Sequence, residues 1–268
     1  MMNSQQVSLK QQIAKQFSVN ALQYDTKAKV QAEIGADAVG LWGKHHCDTL
    51  LDLGCGTGSL TQQLKPFSKM SIGLDLSLGM LTFAQSRTKG VQCANQPTQI
   101  NWIAGDADDL PLQSNSVDGV FSSMALQWSV NIGQCLAEIY RVCRPNSKVL
   151  LGIMSQGSLH ELQACWQALD SAPHINRFLH SQSLLDYALS AGFRGQVIER
   201  RYQSWHNSVR DTMHSIKDIG AGIVSEKRQI TRLNKSRLAQ MQGYYEQHFS
   251  QNGWLPLTYQ LSFLELYK

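Results

Sequence analysis

The stretch Leu50-Leu51-Asp52-Leu53-Gly54-Cys55-Gly56-Thr57-Gly58 constrains the fold more than any other part of the chain. Leu50, Leu51 and Leu53 suit a strand buried on both faces. Gly54, Gly56 and Gly58 supply a tight turn that lets a ligand approach bare backbone, and Ser59-Leu60-Thr61 then opens a helix. Strand, turn and helix N-terminus together face a ligand with unpaired N–H groups and a positive helix end, at the edge of an open α/β sheet. The dinucleotide pattern G-x-G-x-x-G is not met: the third glycine follows the second by two positions, and an acid, Asp52, precedes the first.

Further strands follow at regular intervals. Ser71-Ile72-Gly73-Leu74-Asp75-Leu76-Ser77 ends in an acid placed to accept two ribose hydroxyls. Asn101 to Ala107 carries Asp106 at its end, and Val117 to Ser123 completes a fourth strand. The turn and these strand ends resemble motif I and its companions in the class I S-adenosylmethionine (SAM) methyltransferases. That resemblance implies a Rossmann-like α/β fold, a doubly wound, seven-stranded and mostly parallel sheet. It implies SAM as methyl donor and S-adenosylhomocysteine as product, held by Asp52, Gly54, Cys55, Gly56, Asp75, Leu76, Met80, Asp106, Ala107 and Ser123. Asp52 would help satisfy the donor's ammonium, and Asp106 would sit by the adenine amino group. Met80 either packs on adenine or is plain helix core.

With 43% apolar residues the 268-residue chain can pack one large domain. The expected division is an N-terminal helical lid at 1–45, the SAM-binding core at 46–155, acceptor-side helices with a basic insertion at 156–257, and a final strand at 258–268. No apolar leader and no run of ~18 apolar residues is seen, so a soluble, cytoplasmic protein without a membrane partner is expected. Six cysteines show neither C-x-x-C nor metal-like spacing, so no metal site and no disulfide framework is indicated. Residues 88 to 99 read as a polar surface loop.

Residues 7 to 42 show a loosely amphipathic helical pattern. Tyr24 within it is either a packed aromatic or, by likeness to the N-terminal lid of small-molecule methyltransferases, a residue lying across the methyl donor. Gln127 and Trp128 follow the fourth strand at the sheet's carboxyl edge, where an acceptor must approach, although Trp128 could equally be core. Asn146 stands where relatives carry a glycine and can take φ > 0. Ser158, with Glu161 three positions on, reads as a capping box.

From Ser155 onward the chain becomes more particular. Gln156-Gly157-Ser158-Leu159, His174-Ile175-Asn176-Arg177-Phe178-Leu179, Ser215 to Ala221 and Pro256-Leu257-Thr258-Tyr259, with Gln127-Trp128, closely resemble the malonyl-acyl-carrier-protein O-methyltransferases of biotin synthesis, the BioC family. The likeness runs from about Gln12 to the end. It implies methylation of the free carboxylate of a malonyl thioester, on acyl-carrier protein or coenzyme A, in the synthesis of the pimeloyl chain. Such an acceptor is already ionised near pH 7, above a carboxyl pKa of ~4, so positioning rather than proton removal is the task. Tyr24, Gln127 and Arg177 are the catalytic candidates. Arg177 would clamp one carboxylate oxygen or else serve in an ordinary surface ion pair; Trp128, His174 and Asn176 would help orient the acceptor.

Between Arg200 and Arg237 nine basic residues face three acids. This is either a solvated face or a docking surface for an acidic carrier; nucleic acid is disfavoured because no recognition motif accompanies the charge. Two other readings share the core: a methyltransferase of another small acceptor, such as a quinone precursor, and a non-catalytic SAM-binding protein.

Overall fold

Leu50, Leu51 and Leu53 are fully buried in β1 (Cys47–Leu53), an interior strand of a seven-stranded sheet. The computed structural model describes residues 4–88, 99–170, 174–218 and 234–268. The loop expected at 88–99 falls outside them except for Thr88 and Gln99, as do Cys93, Pro173, Ile219 to Ala221, and Glu226, Lys227, Arg228 and Arg232 of the basic run.

Strand β1 pairs in parallel with β2 (Ser68–Asp75) on one side and with β4 (Val117–Ser123) on the other. Beyond β2 lies β3 (Gln99–Ala104); beyond β4 come β5 (Cys143–Met154), then β7 (Leu255–Tyr267), then β6 (Arg194–His206). The order 3-2-1-4-5-7-6 is thus parallel except for β7, which runs antiparallel to both neighbours. This is the doubly wound sheet implied by the glycine turn. The strand order reverses between β1 and β4, and the carboxyl ends of those strands open the crevice where such sheets hold ligands.

Alternation of side chains divides the core into two layers. On one face Leu50, Phe121, Leu150, Leu257 and Phe263 meet α2 (Lys29–Trp42), Leu64 at the end of α3 (Ser59–Leu64), α6 (His160–Leu169) and α9 (Lys235–Phe249). On the other Leu51, Val120, Leu151 and Leu264 meet α5 (Ile132–Val142) and α7 (Ser181–Ser190). Helix α4 (Leu78–Thr88) follows β2, and α8 (Val209–Asp218) follows β6.

Three details differ from the sequence expectation. The helical stretch at 7 to 42 is two helices, α1 (Ser4–Lys27) and α2, parted at Ala28, whose backbone (φ −83°, ψ 48°) leaves the helical region. The last strand begins earlier than expected, at Leu255. Ser158 and Glu161 form no capping box: the residue before α6 is Leu159, in the left-handed region at φ 57°. Ser158 instead exchanges hydrogen bonds with the backbone of Gln260, and buried Glu161 accepts from the amide and hydroxyl of Thr258. Both side chains staple α6 to β7, a long-range partner that outcompetes the local cap. Asn146 does adopt φ 68°, as its residue type allows.

Candidate active site

A cavity lies over the carboxyl ends of β1, β2, β3 and β4, with about 830 Å³ between its walls, open solvent at the mouth included. That falls within the ~300–1,000 Å³ typical of small-molecule sites. Its floor is Gly54, Gly56, Asp75, Leu76 and Ser77; Asp106, Ala107, Met80, Ser123 and Trp128 form the walls, and α1 supplies the roof through Lys10, Ile13 and Phe17.

The glycines fit this floor for two different reasons. A side chain at Gly54 would place its Cβ 2.1 Å from the Cβ of Ala125, whereas one at Gly56 would meet nothing within 4 Å and project into open space. Both have positive φ, 74° and 53°. Asp75 fixes the turn: its carboxylate accepts the Gly56 amide at 2.9 Å on one oxygen and the Ser77 amide at 2.8 Å on the other. Each oxygen retains a lone pair towards the cavity, which fits a vicinal diol. Burial raises the Asp75 carboxyl above its ordinary range, against the N–H bonds of Ser77, Gly56 and Leu76.

The roof is tied down by polar contacts. Lys10, 6% exposed, donates to both oxygens of Asp106, at 2.7 and 2.6 Å, and to Asp108 at 2.6 Å. Ser18 bonds Ser77 at 2.8 Å, and Asp25, just past Tyr24, accepts from Thr57 at 2.7 Å and pairs with Arg87. Asp106 therefore lines the cavity as expected but already holds a cation. Sequence reading missed Lys10 because its partners lie 96 and 98 residues away; a lone lysine on a helix carries no local signal.

A second cavity adjoins the first and shares Tyr24, Gly54, Gly56, Ser123 and Met124 with it. Cys55, Thr57, Ala28, Gln31 and Asp25 are among its other lining residues. Tyr24 is thus part of the wall common to both. Its phenol is held far above the ordinary value by burial and then by Asp75, Asp25 and Tyr259, so it stays protonated. Burial likewise keeps Cys55 a thiol, with Asp75 and Asp52 adding to the effect. Three buried polar atoms nearby have no hydrogen-bond partner: Ser123 Oγ, Gln31 Nε2 and Gln127 Oε1. Met124 adopts φ 58°, a costly conformation for a side-chain-bearing residue of the kind that concentrates at functional sites.

The other anticipated residues are placed elsewhere. Gln127 lines neither cavity; its Nε2 donates to the Met124 carbonyl at 2.7 Å. Arg177 is exposed and also lines neither; its segment is tied to the turn after β5 through the bond from Gln156 N to Leu179 O. His174 stacks on Trp166 at 3.7 Å and its Nε2 meets Asp170 at 2.7 Å, while Asp170 also pairs with Arg237. These contacts make it a tie between α6 and α9 rather than a group free to orient an acceptor. Asn176 is half-buried beside that tie and lines neither cavity. Among the described residues no metal-binding cluster occurs, and the five described cysteines are unbridged.

Asp52 also points away from the cavity. It is 2% exposed and accepts the Thr61 hydroxyl at 2.5 Å. Burial, opposed by the Thr61 bond and reinforced by Asp75, raises its carboxyl from 3.8 to about 7. A folded-state pKa above the unfolded one means that the folded protein gains a proton as pH falls, so stability rises on acidification through that window. At about 1.4 kcal/mol per unit, Asp52 withdraws on the order of 4 kcal/mol between pH 4 and 7. Asp52→Asn, which keeps an acceptor for Thr61, is expected to exceed the wild type in urea midpoint at pH 8 and to lose most of that advantage by pH 5. An equal gap at both pH values would remove Asp52 as the titrating group.

The site's residues fit SAM: open backbone at Gly56, a carboxylate at Asp75 with free lone pairs, and an enclosed cavity of suitable size. Comparisons with known proteins agree. Residues 51–151 match the family described as "Methyltransferase domain". The structure of the YcgJ protein from Bacillus subtilis superposes with a TM-score of 0.59 at 17% identity, covering 87% of this chain and 97% of that one; at that identity it speaks for the fold alone. The chain is 35% identical to a malonyl-[acyl-carrier protein] O-methyltransferase of Yersinia pestis, across 97% of this chain and 92% of that protein. It is 32% identical to the biotin biosynthesis bifunctional protein BioHC of Cellvibrio japonicus, across 97% of this chain and 50% of that protein. Alike to the Yersinia pestis protein over nearly the full length of both chains, and built on the sheet of the methyltransferase fold, the chain belongs to the malonyl-[acyl-carrier protein] O-methyltransferase family.

Proposed function

We propose that this protein transfers the methyl group of SAM to the free carboxylate of a malonyl thioester on acyl-carrier protein, giving a methyl ester for biotin synthesis. Bound SAM supplies an electrophilic methyl on a sulfonium; the chain's own residues bind, orient and exclude water. Asp75 would hold the ribose hydroxyls, the Gly54–Gly56 turn the chain of the donor, and Met80, Ala107 and Asp106 would surround its base.

The observation that carries this reading is Tyr24, a phenol on the wall common to both cavities and kept protonated. It cannot accept a proton at neutral pH, so the site favours an acceptor that arrives ionised. A malonyl carboxylate does so, whereas a phenolic quinone precursor would need a base. The neutral hydroxyl and the enclosed walls leave the carboxylate poorly solvated and reactive. Methylation removes its charge, and with it the charge-assisted contacts that held it, so the ester leaves.

The test is to incubate the purified protein with labelled SAM and carrier protein loaded with malonyl, succinyl or acetyl groups, and to weigh the products. The malonyl carrier should gain one methyl and the acetyl carrier none; label on the acetyl carrier would refute carboxylate methylation.

Arg177, Arg200, Arg201, Arg210, Lys217 and Lys235 are exposed, and an acidic carrier would dock against such charge. Because Arg177 lies at the surface, Arg177→Ala is expected to raise KM for the malonyl carrier several-fold, more at low salt, with kcat within about twofold. A large loss of kcat at saturating carrier would instead return Arg177 to the reacting centre.

A further inference from the structure

Helix α2 buries Val30, Ile34 and Ala38 against the sheet, and in the same stripe it buries Gln31. Gln31 is 9% exposed, and its Nε2 is enclosed with no hydrogen-bond partner. The Gln31 amide neighbours the Tyr259 hydroxyl as a side-chain hydrogen-bonding group that favours the ionised phenol, but not in a geometry that satisfies Nε2. Packing alone would be served by an apolar side chain in this stripe, and the amide's buried donor is left without a partner among the described residues. Groups of this kind ask for an explanation, a missing ligand foremost.

The position of Gln31 says which ligand. It lines the second cavity, across from the glycine turn, together with Tyr24 and with Ser123, whose Oγ is also unpartnered. It also lines an outer groove between α2 and β6 with Lys29, Trp205 and Tyr259. Gln31 thus stands between the donor-side cavities and a path to solvent. The charged group nearest at hand in the second cavity, Asp25, is already held by Thr57 and Arg87. What the wall offers an incoming group is therefore a neutral donor at Gln31 and hydroxyls at Ser123 and Tyr24.

Resting on the proposed function, we infer that Gln31 is the carboxylate-reading residue of the second cavity: its Nε2 donates to a carboxylate lodged beside Tyr24 and Ser123. Two molecules of the reaction carry such a group, the amino-acid end of the methyl donor and the malonyl acceptor. Gln31→Leu removes the donor at similar volume, and Gln31→Glu replaces it with a repelling oxygen at nearly identical shape.

Calorimetry separates the sources. S-adenosylhomocysteine and 5′-methylthioadenosine share the adenosine and thioether, but only the first has a carboxylate. If Gln31 reads the donor, both variants should bind S-adenosylhomocysteine at least tenfold more weakly, with Glu the worse, while methylthioadenosine binds as to wild type; that control also shows the site intact. If it reads the acceptor, S-adenosylhomocysteine affinity should hold, and malonyl-coenzyme A binding to the S-adenosylhomocysteine-loaded variants should weaken tenfold. Wild-type affinities for all three probes in both variants would overturn the inference. Failure of the wild type itself to bind malonyl-coenzyme A or methylate the malonyl carrier would instead count against the proposed acceptor, leaving the donor arm readable.

Discussion

Replacing Lys10 by methionine should loosen the roof of the site more than any other single surface-helix change. Lys10 is buried and is the cation between Asp106 and Asp108, both oxygens of Asp106 and one of Asp108 bonding to it. Removing one member of such a buried group leaves the opposite charges uncompensated, at ~3–5 kcal/mol. Asp106 and Asp108 would then face each other across the cavity wall, with the Ser129 hydroxyl and the backbone amides of Asp108 and Val130 as their remaining hydrogen-bond donors among the described residues. The expected result is a fall in the thermal midpoint, faster amide exchange along α1, and weaker binding of S-adenosylhomocysteine. Adding Asp108→Asn to Lys10→Met should recover part of the stability, since one of the two stranded charges is gone. Burial alone would lower the Lys10 pKa, but the hydrogen bonds and attraction of Asp106 and Asp108 together outweigh it and raise the pKa above 10.5. Its contribution is therefore fully present below that pH and is lost only as pH climbs through the raised value. Unchanged α1 exchange in Lys10→Met would show that the helix is held by packing alone.

Gly54→Ala is expected to have the second large effect. At φ 74° an alanine is strained by roughly 1–2 kcal/mol. The added methyl would also sit 2.1 Å from Ala125 Cβ, and overpacking of that kind typically costs about 1–3 kcal/mol more. The backbone after β4 must move to relieve the clash, and Ser123, Met124 and Leu126 of the cavity wall move with it. S-adenosylhomocysteine binding should therefore fall at least tenfold even where the variant remains folded. Gly56→Ala is the informative comparison, because its Cβ meets no protein atom. It should leave the apo protein nearly as stable apart from the strain of φ 53°, yet still impair ligand binding if the donor occupies the space above it. Equal apo stability of the two variants would contradict the close contact between Gly54 and Ala125.

The parallel core was legible in the chain because its signals are local. Apolar runs at Leu50–Leu53 and Val117–Phe121 are what strands buried on both faces look like, and three glycines in five residues demand a turn of positive φ. Asp75 ends β2 as expected, whereas β3 stops at Ala104, two residues before Asp106; both acids still line the cavity because nearness to a strand end is itself a sequence property. Asp52 shows where that reasoning stops: adjacent to the turn in sequence, it projects to the opposite side of the strand from Leu53, towards Thr61. A residue's neighbourhood in the chain fixes its height in the sheet but not which side chain reaches the ligand. Ser158 and Glu161 fit a local cap by spacing, yet in the folded chain Gln260 and Thr258 offer them better-buried partners about a hundred residues away.

Sequence alone determined the order of strands and helices, the position of the glycine turn and the family likeness, since each follows from patterns only a few residues wide. The tertiary structure decided the rest: that Lys10 roofs the site, that Tyr24 stays protonated on the wall between two cavities, that Gln31 is left with an unpaired donor, and that Arg177 faces solvent. Burial, pairing and the electrostatics that follow from them depend on what the remote parts of the chain bring to the same place, and no local pattern records that.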